Sequence, residues 1–280
     1  YVDKHVPQTF TVRRLSDPRK TVTFDTGEPT AVHENIEEFV AQALMRAQDR
    51  LIACELEPNA ASALQAALRA AGAGVLATDM VISGKAGNAF CNVRPPGHHA
   101  VRDRAMGFCI FNSIAVAAAH ALEHHGLKRV AIVDFDVHHG NGTEEIFQDD
   151  ERVMMVSTFQ HPFYPYSGTE GRSERMVNIP LAAYSGGAEF RAAVENHWLP
   201  ALERFKPEML FVSAGFDAHR DDDLAMMKLV EADYTWVTQQ LRAVAQRHCN
   251  GRIVSLLEGG YNLHALGRSA TAHIKVLAGL

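Results

Sequence analysis

Positive charge is never concentrated in this chain. Its 27 Lys and Arg residues are spread among 33 Asp and Glu, for a formal net charge of −6. With no dense basic run, no nucleic-acid partner is expected. A long apolar run is missing too. The longest uncharged stretch of note, Ala105 to Leu122, is Ala-rich and interrupted by Asn112, Ser113 and His120, so it reads as buried core and no membrane span is expected. Cysteine is sparse: Cys54, Cys91, Cys109 and Cys249 stand apart, with no C-x-x-C pair. They read as buried, reduced thiols of a cytoplasmic protein. The basic-then-apolar layout of a secretory signal is absent. No G-x-G-x-x-G or Walker pattern follows a strand-like segment, which argues against nucleotide binding.

What is present is an ordinary globular composition, 47% hydrophobic and 21% charged over 280 residues, enough for a sizeable core. From about residue 60 the chain alternates helical and strand patterns. The spacing predicts helices over Ala60–Ala71 (stopped by Gly72), Phe108–His125 and roughly 188–205, 229–248 and 263–278. Apolar runs predict strands at Ala89–Val93, Arg129–Asp134, Val153–Thr158, Met209–Ala214 and Arg252–Leu257. This alternation predicts an α/β fold with a central parallel sheet flanked by helices. With no repeat or linker, residues 1–280 are expected to form one domain. Ile36–Leu51 has the pattern of an amphipathic helix, and Tyr1–Glu34 carries no assignable pattern.

Four polar clusters each follow a predicted strand: Arg94–His99, Asp134–Gly142, Gly215–His219 and Glu258–Tyr261. Ligands of parallel α/β sheets bind outside the carboxyl ends of the strands. In the D-x-D-x-H run, Asp134, Asp136 and His138 share one face of an extended chain, with Phe135 and Val137 opposite. Carboxylates and an imidazole aimed at one point call for a cation. Asp217, from a neighbouring strand end, completes a three-ligand set with an open position, the pattern of a catalytic metal. His98 and His99, on a loop stiffened by Pro95 and Pro96, suit acid–base work. Gly259 and Gly260 permit close approach of the backbone to a ligand, and the Tyr261 phenol suits an oxyanion donor. Taken singly, each of these residues has an ordinary structural explanation; their shared placement favours chemistry. By contrast, His124-His125 beside Gly126 reads as a helix C-terminal cap, and His219 with Asp221, Asp222 and Asp223 as a solvated acidic loop.

The runs RPPGHHA (94–100), GFCIFN (107–112), DFDVHHGNGT (134–143), SAGFDAH (213–219) and EGGYN (258–262) strongly resemble the histone deacetylase superfamily, in wording closest to bacterial, class II-like amidohydrolases. The resemblance covers about residues 60–280. It implies an arginase-like α/β fold and hydrolysis of an acetyl-lysine-type amide by a metal-activated water. By position, it implies Zn2+ on Asp136, His138 and Asp217, and His99 as general base. His98 would be its electrostatic partner, held by Asp134, with Asn141 orienting His99. It further implies Tyr261 as oxyanion donor, Gly107 as a backbone substrate contact, and Phe108 and Tyr164 as walls of a narrow tunnel beside Gly259. Asp134, Asp136, His138, Ser157 and Thr158 match a K+ site. Leu224 stands where polyamine-selective relatives carry Glu, which favours an acyl-lysine peptide or small acylated amine over an acetylpolyamine. A homo-oligomer is compatible with all of this. The family's H-P-E-x-P-x-R segment is missing, so about residues 1–55 are expected to be divergent or truncated. Two rival readings remain: a ureohydrolase using two manganese ions, and a non-catalytic acyl-lysine binding module.

Overall fold

The strand that carries the D-x-D-x-H run lies in the middle of a six-stranded parallel sheet. A computed structural model describes residues 9–13, 21–25, 58–170 and 173–280. Its main sheet comprises β3 (Ala89–Cys91), β4 (Val130–Asp134), β5 (Val153–Gln160), β6 (Met176–Leu181), β7 (Met209–Ala214) and β8 (Ile253–Leu257), ordered β3-β8-β7-β4-β5-β6 with every pairing parallel. The predicted strands are all found, within two residues at each end. A separate antiparallel pair, β1 (Thr9–Arg13) and β2 (Thr21–Asp25), falls within the N-terminal stretch that had no sequence assignment. The predicted helix over Ile36–Leu51 lies outside the described residues, as does Cys54.

Every residue of β4, β5, β7 and β8 is buried. Both sheet faces are covered, which is why these strands read as continuous apolar runs. Successive side chains divide between two cores. Val130, Ile132, Met209, Phe211, Val254 and Leu256 face α1 (Pro58–Ile82) and α2 (Ser113–Glu123). Ala131, Val133, Leu210, Val212, Ile253 and Leu257 face the opposite layer. That layer is built from α4 (Gly187–Ala193), α5 (Leu199–Phe205), α6 (Glu231–His248) and α7 (Leu263–Ala278). The short α3 (Asn141–Phe147) follows the D-x-D-x-H run. A π turn, Val194–Trp198, joins α4 to α5 and seats Trp198 fully in the core. Pro200, which lacks an N–H to donate back into the helix, sits just beyond it.

Two expectations are corrected: the helix predicted over Phe108–His125 begins only at Ser113, and Gly72 is not a helix stop. The first helix runs through it to Ile82. Two residues beyond Gly72, glycine serves packing: a Cβ at Gly74 would lie 3.1 Å from that of Ala117 and 3.2 Å from Leu256 Cδ2. The sixth strand, β6, carries Asn178 and Pro180 and is only partly buried, as an edge strand tolerates. Cys91, Cys109 and Cys249 are buried free thiols. Among the described residues, no helix is long and apolar enough to cross a membrane.

Candidate active site and metal centre

All four polar clusters meet at the carboxyl ends of β3, β4, β7 and β8. Beyond Asp134 the chain leaves the ladder but keeps its alternation: Phe135 and Val137 enter the hydrophobic core, while Asp136 and His138 turn to the sheet end. Asp136, His138 and Asp217, all buried, bring one ligand atom each to within 4.8 Å of one another. His138 Nδ1 lies 3.0 Å from Asp136 Oδ1 and 3.3 Å from Asp217 Oδ2. Backbone amides fix the carboxylates. Gly259 N donates to Asp136 Oδ2 (2.8 Å) and Val137 N to Asp217 Oδ1 (2.9 Å). Only glycine fits at 259, because a Cβ there would sit 2.0 Å from Asp217 Oδ2.

Asp134 does not join this trio, contrary to the shared-face expectation. Its Oδ2 accepts from His98 Nδ1 at 2.8 Å. Burial works against a charge on His98, yet Asp134, Asp136 and Glu258 around it prevail and raise its pKa well above the ordinary value. His99 goes the other way: burial, and then the neighbouring charge on His98, lower it to about 3. The two rings lie 4.1 Å apart. His99 Nδ1 donates to Asn141 Oδ1 (2.8 Å), whose amide nitrogen is turned to Met106 Sδ. His99 is therefore a neutral imidazole with its Nε2 lone pair free.

Burial raises the Asp217 carboxyl to about 6, with Asp136 adding to the effect. Burial likewise opposes the charge on Asp136, but His98 and His138 outweigh it and hold that group below the usual carboxylate range. Asp217 Oδ2 is buried and receives no well-formed hydrogen bond. Two carboxylates, one of them with an orphaned oxygen, and one imidazole fit a divalent cation held in a three-ligand site.

Aromatic residues surround this centre. Tyr164 meets the His99 ring edge-on at 5.2 Å, and Phe108, 73% exposed, packs against Tyr261 at 6.2 Å. Burial, with the nearby Asp136 and Asp217, raises the Tyr261 phenol, which stays protonated. Gly107 adopts a left-handed φ of 55° tight against His99, where a Cβ would lie 2.3 Å from its Cδ2. Leu224 is half-exposed on the loop after Asp217. Ser157 faces Asp134 across the β4–β5 register; it and Thr158 are buried, and Ser157 Oγ donates to Asn178 Oδ1.

Sequence reasoning gave no supporting role to four residues that the structure places around the site. Glu258 Oε2 accepts from the amides of Gly97 and His98 (2.6 and 3.1 Å), and its Oε1 from Ser213 Oγ (3.0 Å). Asp222 is buried and accepts from the amides of Tyr261 and Asn262, so the 219–223 segment is not merely a solvated acidic loop; His219 is buried as well. Arg94 donates to Gly260 O and lies over the Tyr261 ring. Phe163 stacks on His138. The His-His motif marks the loop that Glu258 holds, but nothing in the sequence pairs residues so far apart.

Residues 19–277 match the family described as Histone deacetylase domain. The chain is 42% identical over 226 residues to histone deacetylase 14, chloroplastic, of Arabidopsis thaliana, covering 77% of this chain and 53% of that protein. It is 42% identical over 217 residues to the histone deacetylase-like amidohydrolase of Pseudomonas aeruginosa, covering 75% and 57%. The chain thus spans about half the length of these curated relatives. A crystal structure of the HDA15 HD domain superposes with a TM-score of 0.72 at 35% identity, covering 88% of this chain and 71% of that one. With a parallel sheet and strand-end motifs of this kind, the chain belongs to the histone deacetylase family.

Proposed function

We propose that this chain is a zinc-dependent deacylase that hydrolyses acetyl-lysine-type amides. The observation that carries the reading is a neutral His99 beside the trio Asp136, His138 and Asp217. Zn2+ held by that trio would polarise the amide carbonyl and make water acidic enough to attack near neutral pH. His99 Nε2 accepts the proton of the attacking water as its oxygen bonds to the carbonyl carbon. The same nitrogen then delivers that proton to the amine as the C–N bond breaks. His98, kept cationic by Asp134, holds the His99 pKa down before attack. Tyr261, protonated throughout, donates a hydrogen bond where negative charge develops. Phe108 and Tyr164 flank the aliphatic stem of the acyl-lysine.

Four buried carboxylates, Asp134, Asp136, Asp217 and Glu258, outnumber the one cationic imidazole beside them, His98. That surplus also favours K+ held by Asp134, Asp136, His138, Ser157 and Thr158. Leu224 offers no carboxylate to a polyamine nitrogen, which supports an acyl-lysine peptide over an acetylpolyamine. The test is turnover of a fluorogenic acetyl-lysine peptide, with and without a chelator and beside N8-acetylspermidine. Tyr261→Phe should lower turnover by about 100-fold or more while keeping its zinc. Unchanged turnover in that variant, or faster polyamine cleavage by the parent chain, would contradict the role or the substrate assigned.

A further inference from the structure

At the foot of α2, far from the sheet ends, three imidazoles crowd together. His120 and His124, four residues apart on one helical face, stack at 4.7 Å with their planes 11° apart. His125, just past the helix end, meets both edge-on at 5.0 and 4.9 Å. Each ring offers a nitrogen, and the three atoms lie within 4.8 Å of one another. A fourth donor comes from the neighbouring helix: Asp79 Oδ1, on α1, lies 2.7 Å from His120 Nε2 and 2.6 Å from His125 Nε2.

We propose that His120, His124, His125 and Asp79 form a second metal site, for a borderline divalent ion of the Zn2+ class, that clamps α1 to α2. Helix capping asks for one cationic side chain, and the His125 ring turns away from the helix carbonyls to Asp79. Three packed imidazoles gain little from each other as neutral rings and repel as cations, whereas one ion satisfies all three. Histidines at i and i+4 on one helical face place both rings on a single ion. Imidazole with one carboxylate selects Zn2+, Ni2+ or Cu2+ over Ca2+ and Mg2+. The last turn of a helix carries a negative partial charge, which favours a cation there.

Exposure is graded across the cluster: His120 is buried, His125 half-buried and His124 exposed. Solvent therefore reaches the ion position from one side. Tetrahedral ligation needs nitrogens about 3.3 Å apart, given Zn–N bonds of about 2.0 Å, and the exposed rings can make that small movement. The site is separate from the catalytic trio. Asn112, capping the other end of α2, bonds Ala100 O beside His99, and the eleven-residue helix adds about 16 Å between them.

The test is zinc bound per chain, counted by mass spectrometry after the full chain is equilibrated with Zn2+ and desalted. His124→Ala/His125→Ala should hold about one equivalent less than the parent chain and keep its deacylase turnover within about twofold, as surface changes usually do. Asp217→Asn removes a different equivalent, so the two losses should add in the combined variant. Ring resonances of the three histidines should shift on adding Zn2+ to Asp217→Asn. Equal zinc in the parent chain and the histidine variant, or no shift of those resonances, overturns the proposal. The difference reads correctly whether or not the trio at the sheet end carries zinc.

Discussion

Asp136, His138 and Asp217 at the sheet end, and His120, His124 and His125 at the foot of α2, present metal-ligand chemistry in opposite settings. The first group is buried, and its carboxylates are fixed by backbone amides from Val137 and Gly259. It concentrates negative charge where water cannot screen it, so without a cation it works against the fold. The second group is graded into solvent, and its one carboxylate is satisfied by two imidazoles. Rigid, charge-rich geometry suits catalysis, because the ligands need no rearrangement when the ion binds. A site whose carboxylate is already paired suits a clamp, because it costs little when empty.

The largest expected effect tests the first half of this contrast. Asp217→Asn should lower deacylase turnover by more than about 100-fold, beyond the loss of a merely supporting partner. The metal-free chain should nevertheless become more stable. Burial raises the folded Asp217 carboxyl to about 6, above its unfolded value of about 3.9. Its proton-linked stability is therefore full below pH 4 and is lost as pH rises to 6. Asparagine has no such loss, so the variant's denaturation midpoint in chelator at pH 7.5 should rise by the equivalent of about 1 kcal/mol or more. A fall in that midpoint would show that the buried carboxylate stabilises the empty fold.

Asp134→Asn separates the imidazole pair from the metal ligands and should have a smaller effect on rate. Asparagine removes the nearest charge that keeps His98 protonated, against the opposing effect of burial. A neutral His98 no longer depresses His99, whose pKa then moves up from about 3. Because His99 must be unprotonated to accept a proton, the acid limb of kcat/KM should move to higher pH. Turnover at the optimum should fall by about 10- to 100-fold, within the range of acid–base contributions. An acid limb that stays in place would separate the His98 charge from the His99 base.

The buried site was legible in the sequence and the peripheral one was not, for a physical reason. Strands covered on both faces must be apolar, so polar residues directly after β4, β7 and β8 stand out against them. The alternation of Asp136 and His138 with Phe135 and Val137 carried the local geometry as well. What lay hidden depends on contacts distant in sequence. Glu258 holds the amides of residues about 160 positions earlier, and Asp222 those of Tyr261 and Asn262. The edge strand β6, with Pro180 and partial burial, gives no strand signal. Gly72 reads as a breaker, yet the helix continues through it and through Gly74, where the approach of α2 and β8 is a tertiary reason for glycine. His124-His125 reads as a cap because Asp79 is more than 40 positions away.

Asp79 gives the mildest test of the contrast. Burial pushes its carboxyl up, but the hydrogen bonds from His120 and His125 outweigh this and lower it below the ordinary value. A depressed folded pKa contributes stability that is present above the unfolded value of about 3.9 and is lost as pH falls through the folded one. Asp79→Asn should therefore flatten the stability profile only below about pH 4. The Asp79 side chain is 44% exposed, so solvent screening keeps the loss at neutral pH under about 1 kcal/mol in chelator. Added Zn2+ should raise the denaturation midpoint of the parent chain more than that of Asp79→Asn, since asparagine is a poorer ligand for the same three imidazoles. If zinc raises both midpoints equally, the carboxylate is only a hydrogen-bond acceptor, and the α1–α2 clamp loses its fourth arm.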